Sequence, residues 1–142
     1  MKTSQEGIDL IKKFEGLSLT TYKCSAGIDT IGYGHTGIDV TPNKTITEFD
    51  AEALLRTDLE KFEKCVNDYV TAPIKQNQFD ALVSLCYNIG CGAFTNSTLL
   101  KLLNTKSYQS AALQFTRWDK INGVENKGLL KRRILEQELF TR

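Results

Sequence analysis

The 25 residues from 17 to 41 constrain the fold more than any other part of the chain. They hold Gly27, Gly32, Gly34 and Gly37, many threonines and two short β-prone runs, Leu19-Thr20-Thr21-Tyr22 and Thr30-Ile31-Gly32-Tyr33. The turn Ser25-Ala26-Gly27 lies between the runs, so they read as a small antiparallel sheet, too small to form a core by itself. The chain before this stretch is patterned for helix. Ile8, Ile11 and Phe14 recur on one helical face, Lys12 and Lys13 fall off it, and Gly16 is suited to end it. Thr3-x-x-Glu6 has the form of a capping box. A first helix is therefore predicted from about residue 4 to Glu15.

Pro42-Asn43 breaks the chain after the sheet. Thr47-x-x-Asp50 then opens a long helix to about Tyr69, with an apolar stripe of Phe49, Leu55, Leu59, Phe62 and Val66. Pro73 ends it. The rest predicts helices alone, over Gln76–Ile89, Asn96–Leu103, Ser107–Trp118 and Gly128–Phe140. Turns are expected at Gly90–Gly92, Asn104–Lys106 and Ile121–Lys127. The expected architecture is α+β and predominantly helical, one domain over residues 1–142. It has a β lobe at about 17–41, a linking helix at about 47–69 and a helical lobe at about 74–142. A chain of 142 residues buries roughly two-thirds of its unfolded surface, enough for a core without metal or disulfide.

Apolar residues make up 41% and charged residues 25%, which excludes intrinsic disorder. No apolar run approaches the roughly 20 residues that span a bilayer, so no stable membrane insertion is expected. The opening Met-Lys-Thr-Ser-Gln-Glu-Gly lacks the apolar segment of a signal peptide, which predicts accumulation in the cytoplasm of the producing cell. Charge is uneven. Residues 1–70 carry 8 Lys/Arg against 12 Asp/Glu, and residues 71–142 carry 10 against 5. The basic half could steer toward an anionic polymer, or could be an ordinary solvated surface. The densest basic cluster, Lys131-Arg132-Arg133, is followed by Glu136 and Glu138 and sits in no nucleic-acid motif, so no nucleic-acid partner is expected.

Cys24, Cys65, Cys86 and Cys91 form no Cys-x-x-Cys pair, and His35 is the only histidine. That spacing argues against a zinc site, and neither metal nor cofactor is expected. In a reducing compartment the thiols are expected to be free, with Cys65, Cys86 and Cys91 acting as small apolar filler on helices.

Glu15 is the first residue whose position suggests chemistry. It closes a helix, where the partial negative charge of the terminus disfavours a carboxylate and should move its pKa upward. A carboxylic acid that keeps its proton near neutral pH can serve as a general acid. A frayed surface glutamate is the plain alternative. The surrounding residues sharpen the choice. Glu15 is followed after eight residues by Cys24, then after five by Thr30, then by the run Thr30-Ile31-Gly32-Tyr33-Gly34-His35-Thr36-Gly37.

This signature resembles that of the phage-type lysozymes, the endolysin muramidases, in which Glu, then Asp or Cys, then Thr recur at this spacing. The similarity continues through Gln76-Asn77-Gln78-Phe79-Asp80-Ala81-Leu82, Asn88-Ile89-Gly90-Cys91-Gly92-Ala93-Phe94 and Ser97-Thr98-Leu99-Leu100. Phe115-x-x-Trp118 and Gly128-Leu129-x-x-Arg132-Arg133-x-x-Glu136-x-x-Leu139-Phe140 extend it to the C-terminal helix. The resemblance implies a lysozyme-like fold, a small antiparallel β lobe and a helical lobe flanking a cleft. It also implies hydrolysis of the β-1,4 bond between N-acetylmuramic acid and N-acetylglucosamine in bacterial peptidoglycan. Glu15, Cys24 and Thr30 would be the catalytic set, and Thr36, Tyr87, Ser97 and Gln114 would contact substrate at the rim. Such an enzyme is expected to act as a monomer on peptidoglycan glycan strands and to reach the wall from the cytoplasm through a holin.

Cys24 departs from the commoner aspartate and leaves open a peptidoglycan-binding module with weak or no catalysis. A hydrolase built on a Cys24–His35 dyad is a further alternative, without an evident third member. The resemblance gives His35 a supporting role, bonded to a carboxylate. Arg132 and Arg133 are read either as neighbours of Glu15 or as a solvated basic face. Trp118 is read as core.

Overall fold

The computed structural model describes residues 1–142. The chain divides into two compact units, Asp9–Glu60 and Met1–Ile8 with Lys61–Arg142. Helix α1 (Gln5–Glu15) and helix α2 (Glu48–Tyr69) each contribute residues to both.

The Asp9–Glu60 unit is built around a three-stranded antiparallel sheet ordered β1-β2-β3, with β1 at Ser18–Lys23, β2 at Asp29–Gly32 and β3 at His35–Thr36. The third strand is absent from the sequence expectation because two residues leave no periodic signal. β1 pairs Ser18 with Gly32 and Tyr22 with Thr30, so four steps on β1 match two on β2. The slack residues bond elsewhere: the Thr21 amide donates to the Lys44 carbonyl at 3.0 Å and the Ile46 amide to the Leu19 carbonyl at 2.9 Å. A bulge of this kind bends a strand. Ile11, Ile31, Tyr33, Val40, Ala51, Leu55 and Leu59 supply the buried apolar side chains. Phe49 does not. It is 83% exposed, which corrects the expected stripe at its first position. The capping box at the start of α2 forms as predicted: the Thr47 amide donates to Asp50 at 3.2 Å and the Asp50 amide to the Thr47 hydroxyl at 3.1 Å.

In the other unit α3 (Gln76–Ile89) is buried along Phe79–Cys86 and packs chiefly on α7 (Lys127–Phe140). A helix apolar on nearly every side belongs at the centre of a bundle. Around it lie α4 (Cys91–Thr95), α5 (Thr98–Asn104) and α6 (Tyr108–Leu113), followed by a 3₁₀ turn at Phe115–Arg117. Two expectations are corrected here. The glycine turn Gly90–Gly92 gives way to the short helix α4, which begins at Cys91. The expected turn over Ile121–Lys127 contains a hairpin of β4 (Lys120–Ile121) and β5 (Val124–Glu125), closed by Asn122 and Gly123 at positive φ.

The start of α1 is also corrected. Thr3 does not pair with Glu6. Its amide and hydroxyl donate to Glu63 at 2.7 and 2.6 Å. The Ser4 amide and hydroxyl both donate to Asp80, the amide at 3.0 Å, and the Ser4 oxygen accepts from the Gly7 amide at 3.4 Å. Two carboxylates thus lie at the helix N-terminus, where the helix dipole favours negative charge. Gly7 is required for this approach, since a Cβ there would lie 2.6 Å from Thr3 and 2.8 Å from Asp80.

The free-thiol expectation fails for two cysteines. Cys65 and Cys91 form a disulfide with Cα atoms 6.2 Å apart, while Cys24 and Cys86 are free. Residues 26 apart in sequence meet here because the end of α3 and the start of α4 return to α2, which linear spacing does not reveal.

Candidate active site

Glu15 is the last residue of α1. Gly16 follows at φ +70, and its amide donates back to the Lys12 carbonyl at 3.2 Å. Left-handed backbone of this kind suits glycine and stops the helix. The half-buried Glu15 lines an open cavity of about 350 Å³ with Gly16, Leu17, Ser18 and Tyr22. Tyr22 closes the first β-prone run of the sequence and was not an expected site residue. Its register opposite Thr30 connects this cavity to β2.

Cys24 follows β1 and opens a tight turn. The Gly27 amide donates to the Cys24 carbonyl at 2.8 Å, and the Cys24 amide to the Ile28 carbonyl at 3.0 Å. The Ile28 and Ala26 amides hold the sulfur below the usual thiol pKa, and the Thr30 hydroxyl adds to this. Thr30 is buried, and its hydroxyl also donates to the Ile28 carbonyl at 2.9 Å. One hydroxyl proton therefore has two acceptors in reach, and ionisation of the sulfur favours the second. The fold thus brings Cys24 and Thr30 together.

His35 is held at both ring nitrogens. Nδ1 lies 2.8 and 2.9 Å from the Asp58 oxygens, and Nε2 lies 2.9 and 3.2 Å from those of Asp39. Burial lowers its pKa, but hydrogen bonds to Asp58 and Asp39 outweigh this and raise it. The ring fastens β3 to α2 and the following loop, and both nitrogens are engaged by carboxylates rather than by Cys24. That geometry removes the basis of a Cys24–His35 dyad.

The expected rim residues do not share one environment. Thr36 is exposed on β3 opposite Thr30. Gln114 is half-buried at the end of α6. Tyr87 is half-buried and meets the Phe62 ring edge-on at 5.3 Å. Ser97, expected at the rim, is instead buried. Its hydroxyl donates to the Phe94 carbonyl at 2.6 Å and accepts from the Leu100 amide at 3.1 Å, capping α5.

Arg132 and Arg133 are buried, which corrects the solvated-face alternative. Their Nε atoms lie 3.2 Å from the two carboxylate oxygens of Glu136, also fully buried. The Ser84 hydroxyl donates to Glu136 at 2.5 Å, and Arg133 Nη2 donates to the exposed Asn88 at 2.5 Å. Burial pushes the Glu136 carboxyl upward against the opposing pull of the two guanidiniums. The spacing of Arg132, Arg133 and Glu136 on one helix was legible, but the Ser84 contact from α3 was not. Trp118, expected in the core, is half-buried. It lines a cavity of about 410 Å³ with Asn88, Ile89, Lys120, Ile121 and Leu129.

A helical chain with this small sheet, a glutamate closing α1 and a Cys–Thr pair flanking the β1–β2 turn has the layout of a lysozyme-like protein. Residues 12–136 match the family model described as phage lysozyme, and the chain belongs to that family. It is 49% identical over 142 residues to an endolysin of Bacillus phage PZA, covering 99% of this chain and 55% of that protein. The chain thus spans about half the length of its Bacillus phage relatives. It is 45% identical to an endolysin of Salmonella phage P22, covering 99% of this chain and 98% of that one. Among solved structures, a P22 lysozyme variant superposes with a TM-score of 0.94 at 42% identity, covering 100% and 99% of the two chains. The muramidase domain of SpmX from Asticaccaulis excentricus gives 0.92 at 41%, covering 99% and 98%.

Proposed function

We propose that the protein is an endolysin with muramidase activity, a hydrolase of the β-1,4 bond between N-acetylmuramic acid and N-acetylglucosamine in bacterial peptidoglycan. The observation that carries this reading is the Cys24 turn. Two backbone amides and the Thr30 hydroxyl converge on the sulfur and lower its pKa, so this chain holds a more readily ionised thiol where the family pattern more often has aspartate. In the proposed reaction Glu15 protonates the leaving glycosidic oxygen. The Cys24 thiolate and the Thr30 hydroxyl orient and activate water, and inversion at the anomeric carbon is the expected outcome. Direct attack by sulfur is ranked second, because a thioglycoside intermediate is unreactive.

Thr36, Tyr87 and Gln114 are proposed as the substrate-contacting set. Thr36 and Gln114 are the members best placed to act directly. Ser97 would act through the helix it caps. Residues 1–142 are taken as one lysozyme-like domain that acts as a monomer. No helix is long and apolar enough to cross a membrane. The proposed route is accumulation in the host cytoplasm and release to the wall by a holin.

The test is clearing of purified peptidoglycan by wild type and Glu15→Gln, with detection of new reducing ends. Clearing and reducing ends from wild type, both lost in Glu15→Gln, support the glycosidase. Sedimentation with peptidoglycan without new reducing ends from wild type points to a binding module.

A further inference from the structure

Three sulfur atoms converge in the Lys61–Arg142 part of the chain, and none of them belongs to the residues proposed for catalysis. Cys65 comes from the last third of α2, Cys86 from the last turn of α3 and Cys91 from the first position of α4. All three sulfurs lie within 4.8 Å of one another. Cys65 and Cys86 are buried and Cys91 is half-buried. The Cys65–Cys91 disulfide uses two of them, and Cys86 stands beside it as a free thiol. A disulfide requires two sulfurs, and the third has no covalent role in it.

We propose that, when the Cys65–Cys91 bond is reduced, Cys65, Cys86 and Cys91 together bind one thiophilic, filled-shell cation of the zinc(II) and copper(I) class. Metal–sulfur bonds of about 2.3 Å place ligand sulfurs roughly 3.7–4.0 Å apart in a tetrahedral or trigonal site. The three sulfurs already lie inside a 4.8 Å limit, and opening the disulfide frees the bonded pair to move apart to that spacing. The donor set selects the ion. Soft thiolates favour zinc(II) and copper(I), whereas magnesium and calcium need oxygen ligands. The sole histidine is held by Asp58 and Asp39 and is not a fourth ligand. Copper(I) is satisfied by three thiolates, and zinc(II) would complete its shell with water on the half-exposed Cys91 side.

Beside the intact disulfide, burial pushes the Cys86 thiol up to about 12, so in that form it holds its proton near neutral pH. Each thiol that coordinates the cation yields one proton to solvent, and binding strengthens as pH rises. The disulfide and the metal site share two sulfurs and exclude each other. This site stands independently of the proposed muramidase activity.

The test uses the full chain, reduced with a phosphine and handled without oxygen, with Cd²⁺ as the probe. A sulfur-to-cadmium charge-transfer absorption should grow and saturate at one equivalent. Cys65→Ser, Cys86→Ser and Cys91→Ser should each weaken binding by more than the about 10–100-fold typical of losing an outer-shell partner, and Cys24→Ser should not. Displacement of Cd²⁺ by Zn²⁺ or by copper(I) then identifies the preferred ion. Should a variant fail to fold, alkylation of the native reduced chain decides. Bound Cd²⁺ should protect Cys65, Cys86 and Cys91 while Cys24 stays reactive. No charge-transfer band, binding unchanged in folded Cys86→Ser, or no protection on alkylation would each overturn the proposal.

Discussion

At the scale of single residues, the proposed chemistry rests on Glu15 and Cys24. Glu15→Gln keeps the shape and hydrogen bonding of the side chain but removes its proton. Circular dichroism should be unchanged, while clearing falls by about 10²–10⁴, the usual worth of acid catalysis. Near-wild-type clearing would remove Glu15 from the mechanism. At position 24 the proposed requirement is an anion aimed by the turn rather than sulfur as such. Cys24→Asp should therefore remain active, Cys24→Ala should lose most activity, and alkylation of the half-buried thiol should inhibit wild type. An alanine variant as active as wild type would make Cys24 a bystander. Glu15 was legible because helix periodicity and Gly16 mark the end of α1. The amides of Ala26 and Ile28 were not, because their aim depends on the turn that Gly27 closes at φ +76.

At the scale of elements, two fastenings carry predictions. The His35 clamp joins β3 to α2. His35 is raised above 6.5 by Asp58 and Asp39 despite its burial, so its stabilisation is complete below pH 6.5 and fades as pH rises through the raised value. Asp39 is lowered beneath 3.8, chiefly by its hydrogen bond to His35, so its contribution is present above pH 3.8 and fades as pH falls through the lowered value. The clamp is therefore strongest between pH 3.8 and 6.5. Asp58→Asn should cost about 1.5 kcal/mol there, the low end for a hydrogen bond to a charged group. Urea midpoints measured against pH should show the gap to wild type shrinking above that window; a constant gap would contradict the assignment. The second fastening is the start of α1. In an ordinary helix Gly→Ala stabilises. Gly7→Ala should instead cost about 1–3 kcal/mol, the usual penalty of overpacking, because Thr3 and Asp80 occupy the space of a Cβ. A raised melting temperature would show that Asp80 can withdraw without loss. Neither fastening follows from periodicity, since Asp80 and Asp58 reach their partners from other helices.

For the whole molecule, the Cys65–Cys91 bond closes a loop of sequence separation 26. Loop-closure entropy assigns such a bond about 3.5 kcal/mol, so reduction should shift chemical unfolding by that order. Unfolding that is identical with and without reductant would show that the bond does not form in solution. Charge acts over the same scale. Of the ten Lys/Arg in residues 71–142, Arg132 and Arg133 are buried against Glu136, which leaves eight for the proposed steering toward an anionic wall. Clearing of whole walls should fall with rising salt more than cleavage of a short neutral oligosaccharide, because exposed charges are screened.

Local order was present in the residues themselves. Helices α1, α2, α3 and α7 and strands β1 and β2 came from periodicity, caps and glycine turns, because those interactions join residues a few positions apart. The Glu15-Cys24-Thr30 spacing belongs to the same class, since one helix end and one hairpin carry all three. Tertiary structure alone decided the rest: the Cys65–Cys91 bond beside Cys86, the burial of Arg132 and Arg133, the two-sided hold on His35 and the cap that Asp80 provides for α1. Each depends on elements distant in sequence coming together, and only the packing of those elements sets whether such groups meet.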